Sequence, residues 1–221
     1  KQKARPLLSS EQAAIRFKAL HTSLESDLAL AKFKSIDESQ LNSAPHLTPR
    51  QELQNLLLKT RIKRLQGQYR ASLLLAQQAL KLCHKTLSDD AKSTNLALNN
   101  LATEYKIHAD FSEAKILADL SLANTQKLRG KKHLDSAIPM TILANIHKEM
   151  GHYPQAETLY RDVLHIHETQ LPKNHPLLAK SLNNLAVLYR LTGRQKDALP
   201  LFERSRAICL KVFGELHPDS A

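Results

Sequence analysis

The sequence predicts an all-α solenoid built from antiparallel helical hairpins, and three observations carry that prediction. The first is an internal repeat. The pairs His175-Pro176 and His217-Pro218 stand 42 residues apart, and the same step connects other landmarks. His175 falls back on His133, Leu185 on Leu143 and Leu101, and Ala198 on Ala156 and Ala114. Gly193 falls back on Gly151, Ala109 and Gly67. A unit of that length buries its apolar face only against its neighbours, so the units stack. The second observation is composition. Only five glycines, 5% aromatics and no Trp accompany an abundance of strong helix formers. The third is spacing, because apolar residues recur at three and four positions rather than at two.

Residues 1–8 are basic and read as a lead-in. Ala14, Phe17, Leu20, Leu24, Leu28 and Ala31 then form a helical stripe over residues 10–34. The 42-residue pattern is absent there, so this helix is expected to cap the array, to be a decayed repeat, or to lie in a groove. Residues 36–46, with Ser, Asn, Asp and Pro45, read as a loop. Thr48-Pro49-Arg50-Gln51 is a helix start, with Thr48 as cap, Pro49 in the first turn and Gln51 completing a capping box.

That start opens a helix to Leu65, closed by Gly67, and a second follows over residues 69–86. Gly67, Tyr69 and Ala79 fit the later register, whereas Lys59 stands where later units have Leu101, Leu143 and Leu185. Residues 48–90 are therefore read as a degenerate repeat. Three clearer repeats occupy residues 91–221. Their helices are expected at 91–108 and 112–128, 136–150 and 154–170, and 176–192 and 196–213. Pro154 and Pro139 fall where helix N–H groups lack intrahelical partners, and Pro200 is deep enough to bend its helix. With residues 1–47 as a basic lead-in plus a capping or decayed-repeat helix, this completes the division of the chain.

Lys and Arg number 32 against 21 Asp and Glu, for a net charge of +11. That balance suits an acidic partner, whether peptide, nucleic acid or anionic surface. No apolar run approaches the roughly 20 residues of a membrane span. Cys83 and Cys209 lie 126 residues apart, three full repeats, and read as core residues rather than a disulfide. Lys1 rather than Met opens the chain, and it ends where another repeat would begin. A preceding segment and further repeats are both expected, and a cytoplasmic, secreted or periplasmic setting stays open. No phosphate loop, nucleophile elbow, paired-cysteine site or His-Glu-x-x-His arrangement is present, so no enzyme, metal or cofactor is expected. The His133, His175 and His217 column reads as helix-start capping, since stacking would hold the rings apart.

Gly193, Ala198 and Phe202, with Leu185-Ala186 and Tyr189 upstream, resemble the tetratricopeptide repeat signature. Gly151, Tyr153, Ala156 and Tyr160 match it again, with Leu143-Ala144 upstream. That family's usual period is about 34 residues. The longer unit here, with Leu-Asn-Asn-Leu-Ala and a terminal His-Pro-Asp, resembles the kinesin light chain type. The resemblance implies a right-handed superhelix whose hairpins present their first helices on a concave face, used there for peptide capture.

Transferred to this chain, the inward positions include Lys180, Asn183, Val187 and Arg190 in the last unit. Thr141, Asn145 and Lys148 are their counterparts in the unit before, with Asn99, Thr103 and Lys106 before that. Arg64, Lys106, Lys148 and Arg190 form a basic column at the 42-residue step, and Arg61 lies one turn from Arg64. The expectation is an adaptor or scaffold that binds an acidic or extended peptide in a basic groove. Charge would steer encounter, and asparagines would hold the peptide backbone, as the resemblance implies. The alternatives are a nucleic-acid-binding or regulatory sensor domain of a larger protein, and a self-assembling scaffold. The nucleic-acid reading is weakened because the aromatics occupy packing positions rather than stacking platforms.

Overall fold

A computed structural model describes residues 47–213. The expectations for residues 1–46, and for His217 and the chain end, lie outside the described residues. Eight α-helices run through the described part: α1 (Pro49–Leu65), α2 (Tyr69–Thr86), α3 (Ala91–Ile107), α4 (Phe111–Arg129), α5 (Ala137–Glu149), α6 (Tyr153–Gln170), α7 (Pro176–Leu191) and α8 (Gln195–Phe213). A single 3-10 turn, Leu134–Ser136, leads into α5. Helix bounds follow the expected ones to within a residue or two, and α8 stays continuous through Pro200. None of the described helices is long and apolar enough to cross a membrane.

The chain divides into two compact units, between His108 and Ala109. In the first, α1 and α2 form a hairpin, and α3 packs on α2 and touches α1. In the second, α4 packs on α5, α5 and α6 form a hairpin, α6 packs on α7, and α7 and α8 form the last hairpin. The all-α solenoid plan thus holds within each unit, since every helix hands its apolar stripe to the next.

Local chemistry sets the helix starts. Thr48 and Gln51 make the predicted capping box: the Gln51 N–H donates to the Thr48 hydroxyl, and the Thr48 N–H donates to Gln51 Oε1. Asp90 caps α3 by accepting from the Ser93 N–H at 3.2 Å and the Ser93 hydroxyl at 2.8 Å. The Arg50 guanidinium adds a third bond at 2.9 Å, tying the starts of α1 and α3. These bonds, those from Ser93 first, hold the Asp90 carboxyl below its usual range. The described members of the histidine column, His133 and His175, sit at helix starts as expected. The Nδ1 atoms of His133 and His175 each accept a backbone N–H two residues on, at 3.1 Å.

Turns between paired helices share one design. Gln68, His152 and Arg194 donate their N–H groups to the carbonyls of Lys63, His147 and Tyr189, all at 2.8 Å. Gly67, Gly151 and Gly193 donate to Arg64, Lys148 and Arg190. This six-to-one and five-to-two pairing is the Schellman closure, which requires left-handed backbone at the residue after the cap. Gly67, Gly151 and Gly193 have φ of 76–77°, and Ala109 at the same register has φ 63°.

The core is a set of columns along the repeat. Ala114, Ala156 and Ala198 are buried, and the small methyl lets paired helices approach closely. In α2 this position is Ser72, which is fully buried. In the second unit Ala144, Ala156, Tyr160, Leu185, Ala186, Leu188 and Tyr189 form one cluster between α5 and α8. Leu178, Leu182, Ile208 and Cys209 continue it at the far end of the α7–α8 hairpin. Leu53, Ala79, Cys83 and Ala97 form the core of the first unit. Cys83 and Cys209 are both buried and neither is in a disulfide, as the spacing predicts. Two histidines are taken into the second unit's packing. His167 is buried with Nδ1 at 2.6 Å from the Ser181 hydroxyl. His147 takes the position held by Tyr105 and Tyr189 and lies 5.8 Å from the His152 ring.

Two measurements test this account. A Cβ at Gly193 meets nothing within 4 Å, so the cost of Gly193→Ala is conformational only. Left-handed strain of roughly 1–2 kcal/mol, less the entropy that Ala saves in the unfolded chain, leaves about 0.5–1 kcal/mol of destabilisation. By the same reasoning Ala109→Gly stabilises by a similar amount, and urea melts read both signs. Burial lowers the pKa of His147 and of His167. A histidine with a depressed folded pKa adds stability that is present above the unfolded value of about 6.5 and is lost as pH falls through the lower folded value. The urea midpoint therefore falls between pH 7 and pH 5, and His147→Tyr reduces that fall.

Candidate functional site

The sequence-predicted groove residues fall on α1, α3, α5 and α7, and their surroundings differ by unit. On α7, Lys180, Asn183, Val187 and Arg190 share one stripe. At about 100° per residue they point away from Leu182, Leu185 and Tyr189, which face the core. Lys180, Asn183 and Arg190 are exposed and Val187 is half-buried. The first three have no side-chain partner among the described residues. Leu191 extends the stripe at 53% exposure.

On α5, Thr141, Asn145 and Lys148 are half-buried and Ile138 is exposed. The Thr141 hydroxyl is turned inward onto the Ala137 carbonyl at 2.7 Å. Lys148 lies 3.2 Å from the carboxylate of the adjacent Glu149. Asn145 Oδ1 accepts the Tyr160 hydroxyl at 2.7 Å, so α6 fixes the amide of a side chain on α5. Burial pushes the Tyr160 phenol well above its usual range, with Glu149 adding to the shift, and the hydroxyl stays a donor.

The first unit treats its predicted residues differently. Arg61 is exposed, but Arg64 turns toward the core. Its guanidinium donates at 2.8 Å to Glu104, whose other oxygen accepts the Ser72 hydroxyl at 2.6 Å. Glu104 is 0% exposed. One repeat earlier, and one and two repeats later, the same position holds Ile62, Ile146 and Leu188, all buried. Glu104, Ser72 and Arg64 are thus one local replacement of an apolar contact by a satisfied polar one. Asn99 is 8% exposed with Oδ1 lacking a hydrogen-bond partner, unlike its exposed counterpart Asn183. Thr103 donates to the Asn99 carbonyl at 2.9 Å, and Lys106 is already engaged within the protein.

The basic column has a common backbone position. Arg64, Lys106, Lys148 and Arg190 each stand in the last turn of their helix, where the carbonyl ends attract cations. That interaction contributes roughly 0.3–1 kcal/mol apiece. Among the described residues no group of three His, Cys, Asp or Glu side chains is placed to hold a metal ion.

Sequence reasoning missed a second feature of the second unit. Between α6 and α8 lies an open cleft of about 460 Å3. Tyr189 forms part of its wall, with the Arg194 guanidinium 4.0 Å over the ring centroid. Arg194 also bonds Glu157 at 2.9 Å and Asp197 at 2.8 Å. The one sequence signal for this cleft is the unusual Pro200 within a helix.

Comparison with known proteins agrees with the repeat architecture. Residues 140–177 and 178–219 match the tetratricopeptide repeat family. Residues 140–219 are thus tetratricopeptide repeats, and the fold of the described residues resembles the kinesin light chain type of array. A Podosopora anserina putative kinesin light chain with nearly identical TPR-like repeats superposes with a TM-score of 0.61 at 19% identity, covering 95% of this chain and 100% of that one. BtubC (BKLC) from P. vanneervenii superposes with a TM-score of 0.63 at 16% identity, covering 93% of this chain and 81% of that one. In sequence, 92 residues are 29% identical to the human Clustered mitochondria protein homolog, 42% of this chain and 7% of that protein. The Danio rerio counterpart matches to the same extent. The chain therefore spans only about 7% of the length of the curated relatives it matches. The fold is that of a protein–protein interaction or scaffold module.

The buried network gives a direct test. Arg64→Ala leaves a buried carboxylate without its cation, which costs on the order of 3 kcal/mol. Adding Glu104→Leu restores the residue type of the neighbouring repeats, and the double variant should melt well above Arg64→Ala alone. Equal melting of the two would mean that Glu104 does not need Arg64.

Proposed function

We propose that the outward stripes of α5 and α7 form a docking face for an acidic, extended segment of a partner protein. The observation that carries this reading is on α7. Lys180, Asn183 and Arg190 are exposed on one stripe, and no described side chain neutralises or hydrogen-bonds them. Two cations and an amide left open in this way suit carboxylates and a peptide backbone. Val187 and Leu191 supply apolar contact on the same stripe.

Asn145 extends the reading to α5. With Oδ1 taken by Tyr160, the amide nitrogen is left to donate to a peptide carbonyl. Lys148 adds charge at the position equivalent to Arg190. Arg64 contributes little, because its guanidinium is committed to Glu104.

The test uses a fluorescein-labelled peptide with two leucines flanked by glutamates, titrated with the full chain over a range of salt. Lys148→Glu combined with Arg190→Glu should weaken high-affinity binding at least tenfold, a loss of about 1.4 kcal/mol. The same change should flatten the salt dependence. Undiminished affinity with unchanged stoichiometry in the double variant would remove the α5–α7 face as the docking site.

A further inference from the structure

The cleft between α6 and α8 lies on the side of α7 away from Lys180, Asn183 and Arg190, and its charge is unbalanced in a specific way. Leu164, Leu185, Leu201 and the Pro200 ring give it apolar lining. Two carboxylates line it as well, but each is already taken. Glu168 accepts from Arg204 at 2.6 Å, and Asp197 accepts from Arg194 at 2.8 Å. The nearby Glu157 accepts the Tyr189 hydroxyl at 3.0 Å and Arg194 at 2.9 Å.

The cations are less well served. Arg161 reaches Glu157 only at 3.8 Å and is 65% exposed, while Lys196 has no side-chain partner among the described residues. The charge left uncompensated around the apolar lining is therefore positive. Pro200 adds to the opening, because it has no N–H to donate to the Lys196 carbonyl one turn earlier. The wall at Tyr189 is held by the stacked Arg194, whose own charge is spent on two carboxylates.

We propose that this cleft is a second docking site, separate from the α5–α7 face, for an acidic partner segment that carries an apolar side chain. The apolar side chain packs on Leu164 and Leu201 while flanking carboxylates pair with Arg161 and Lys196. Arg161 suits this role because a guanidinium binds a carboxylate in two-point fashion. An apolar floor with a few placed polar groups is the general build of a binding pocket.

The experiment uses the full chain, the same glutamate- and leucine-containing peptide, and calorimetry to count sites. Four proteins are compared: wild type, Arg161→Glu with Lys196→Glu, Lys180→Glu with Arg190→Glu, and the milder Arg161→Gln with Lys196→Gln. Thermal melts confirm that each is folded, and the exposed positions make that the expected result. Wild type should bind two peptides, and either reversal should leave one. The glutamine pair should weaken the cleft site at least tenfold. A single site lost only on changing Arg161 and Lys196 would uphold the cleft and remove the α5–α7 face. Two sites surviving that change, one site lost only on changing Lys180 and Arg190, or no binding at all would overturn the cleft. Light scattering closes the remaining route: a wild-type dimer dispersed by the Arg161 and Lys196 reversal would put a second copy there and overturn the proposal too.

Discussion

Helical hairpins of this kind depend on reversing the chain in a few residues without leaving helix-end carbonyls unbonded. The Schellman closure does both, and it demands left-handed backbone immediately after the cap. Gly67, Gly151 and Gly193 meet that demand without strain, whereas Ala109 meets it against a steric preference. Once the turn is made, buried alanines set how near the paired helices come. The large side chains, Tyr160, Leu185 and Tyr189 among them, then fill the space between successive helices. The order of dependence runs from backbone to small residues to large ones. A lost turn therefore disturbs more than a lost leucine.

Charge in this protein serves two purposes that the primary structure does not separate. A cation in a helix's last turn is favourable whatever the protein binds, so the basic column has a structural cause before it has a functional one. Burial and partners then divide its members. Arg64 is drawn into the first unit by Glu104, Lys106 is engaged, Lys148 lies beside Glu149, and Arg190 is left open. The +11 net charge is consequently a poor guide to recognition. The informative cations are those that the fold leaves without an acid.

Much of the architecture was legible because the repeat places turn, cap and small residues at fixed offsets. The Thr48 capping box, the three glycine turns and the helix bounds all follow from local chemistry that the sequence displays. Site details were less legible, for a physical reason. A 42-residue step identifies equivalent backbone positions, but exposure depends on which helices lie against them. Asn99 and Asn183 are equivalent by spacing, yet one is buried and the other faces outward. Nothing in the spacing singles out Glu104, and only its contacts with Ser72 and Arg64 reveal it as core. The α6–α8 cleft left no signal but Pro200, because its lining comes from three helices with no shared motif.

The network of Arg64, Ser72 and Glu104 also bears on how such an array can change in length. Arrays of this kind are lengthened or shortened by cutting at a junction and rejoining whole hairpins. Here one acid and its two donors sit on opposite sides of the junction between the α1–α2 hairpin and α3. Replacing the first hairpin with one of the later type would set Glu104 against an alanine in place of Ser72. The corresponding junction between α6 and α7 carries Ala156 and Leu188, which would accept almost any homologous hairpin. The array is therefore modular at one seam and locked at another.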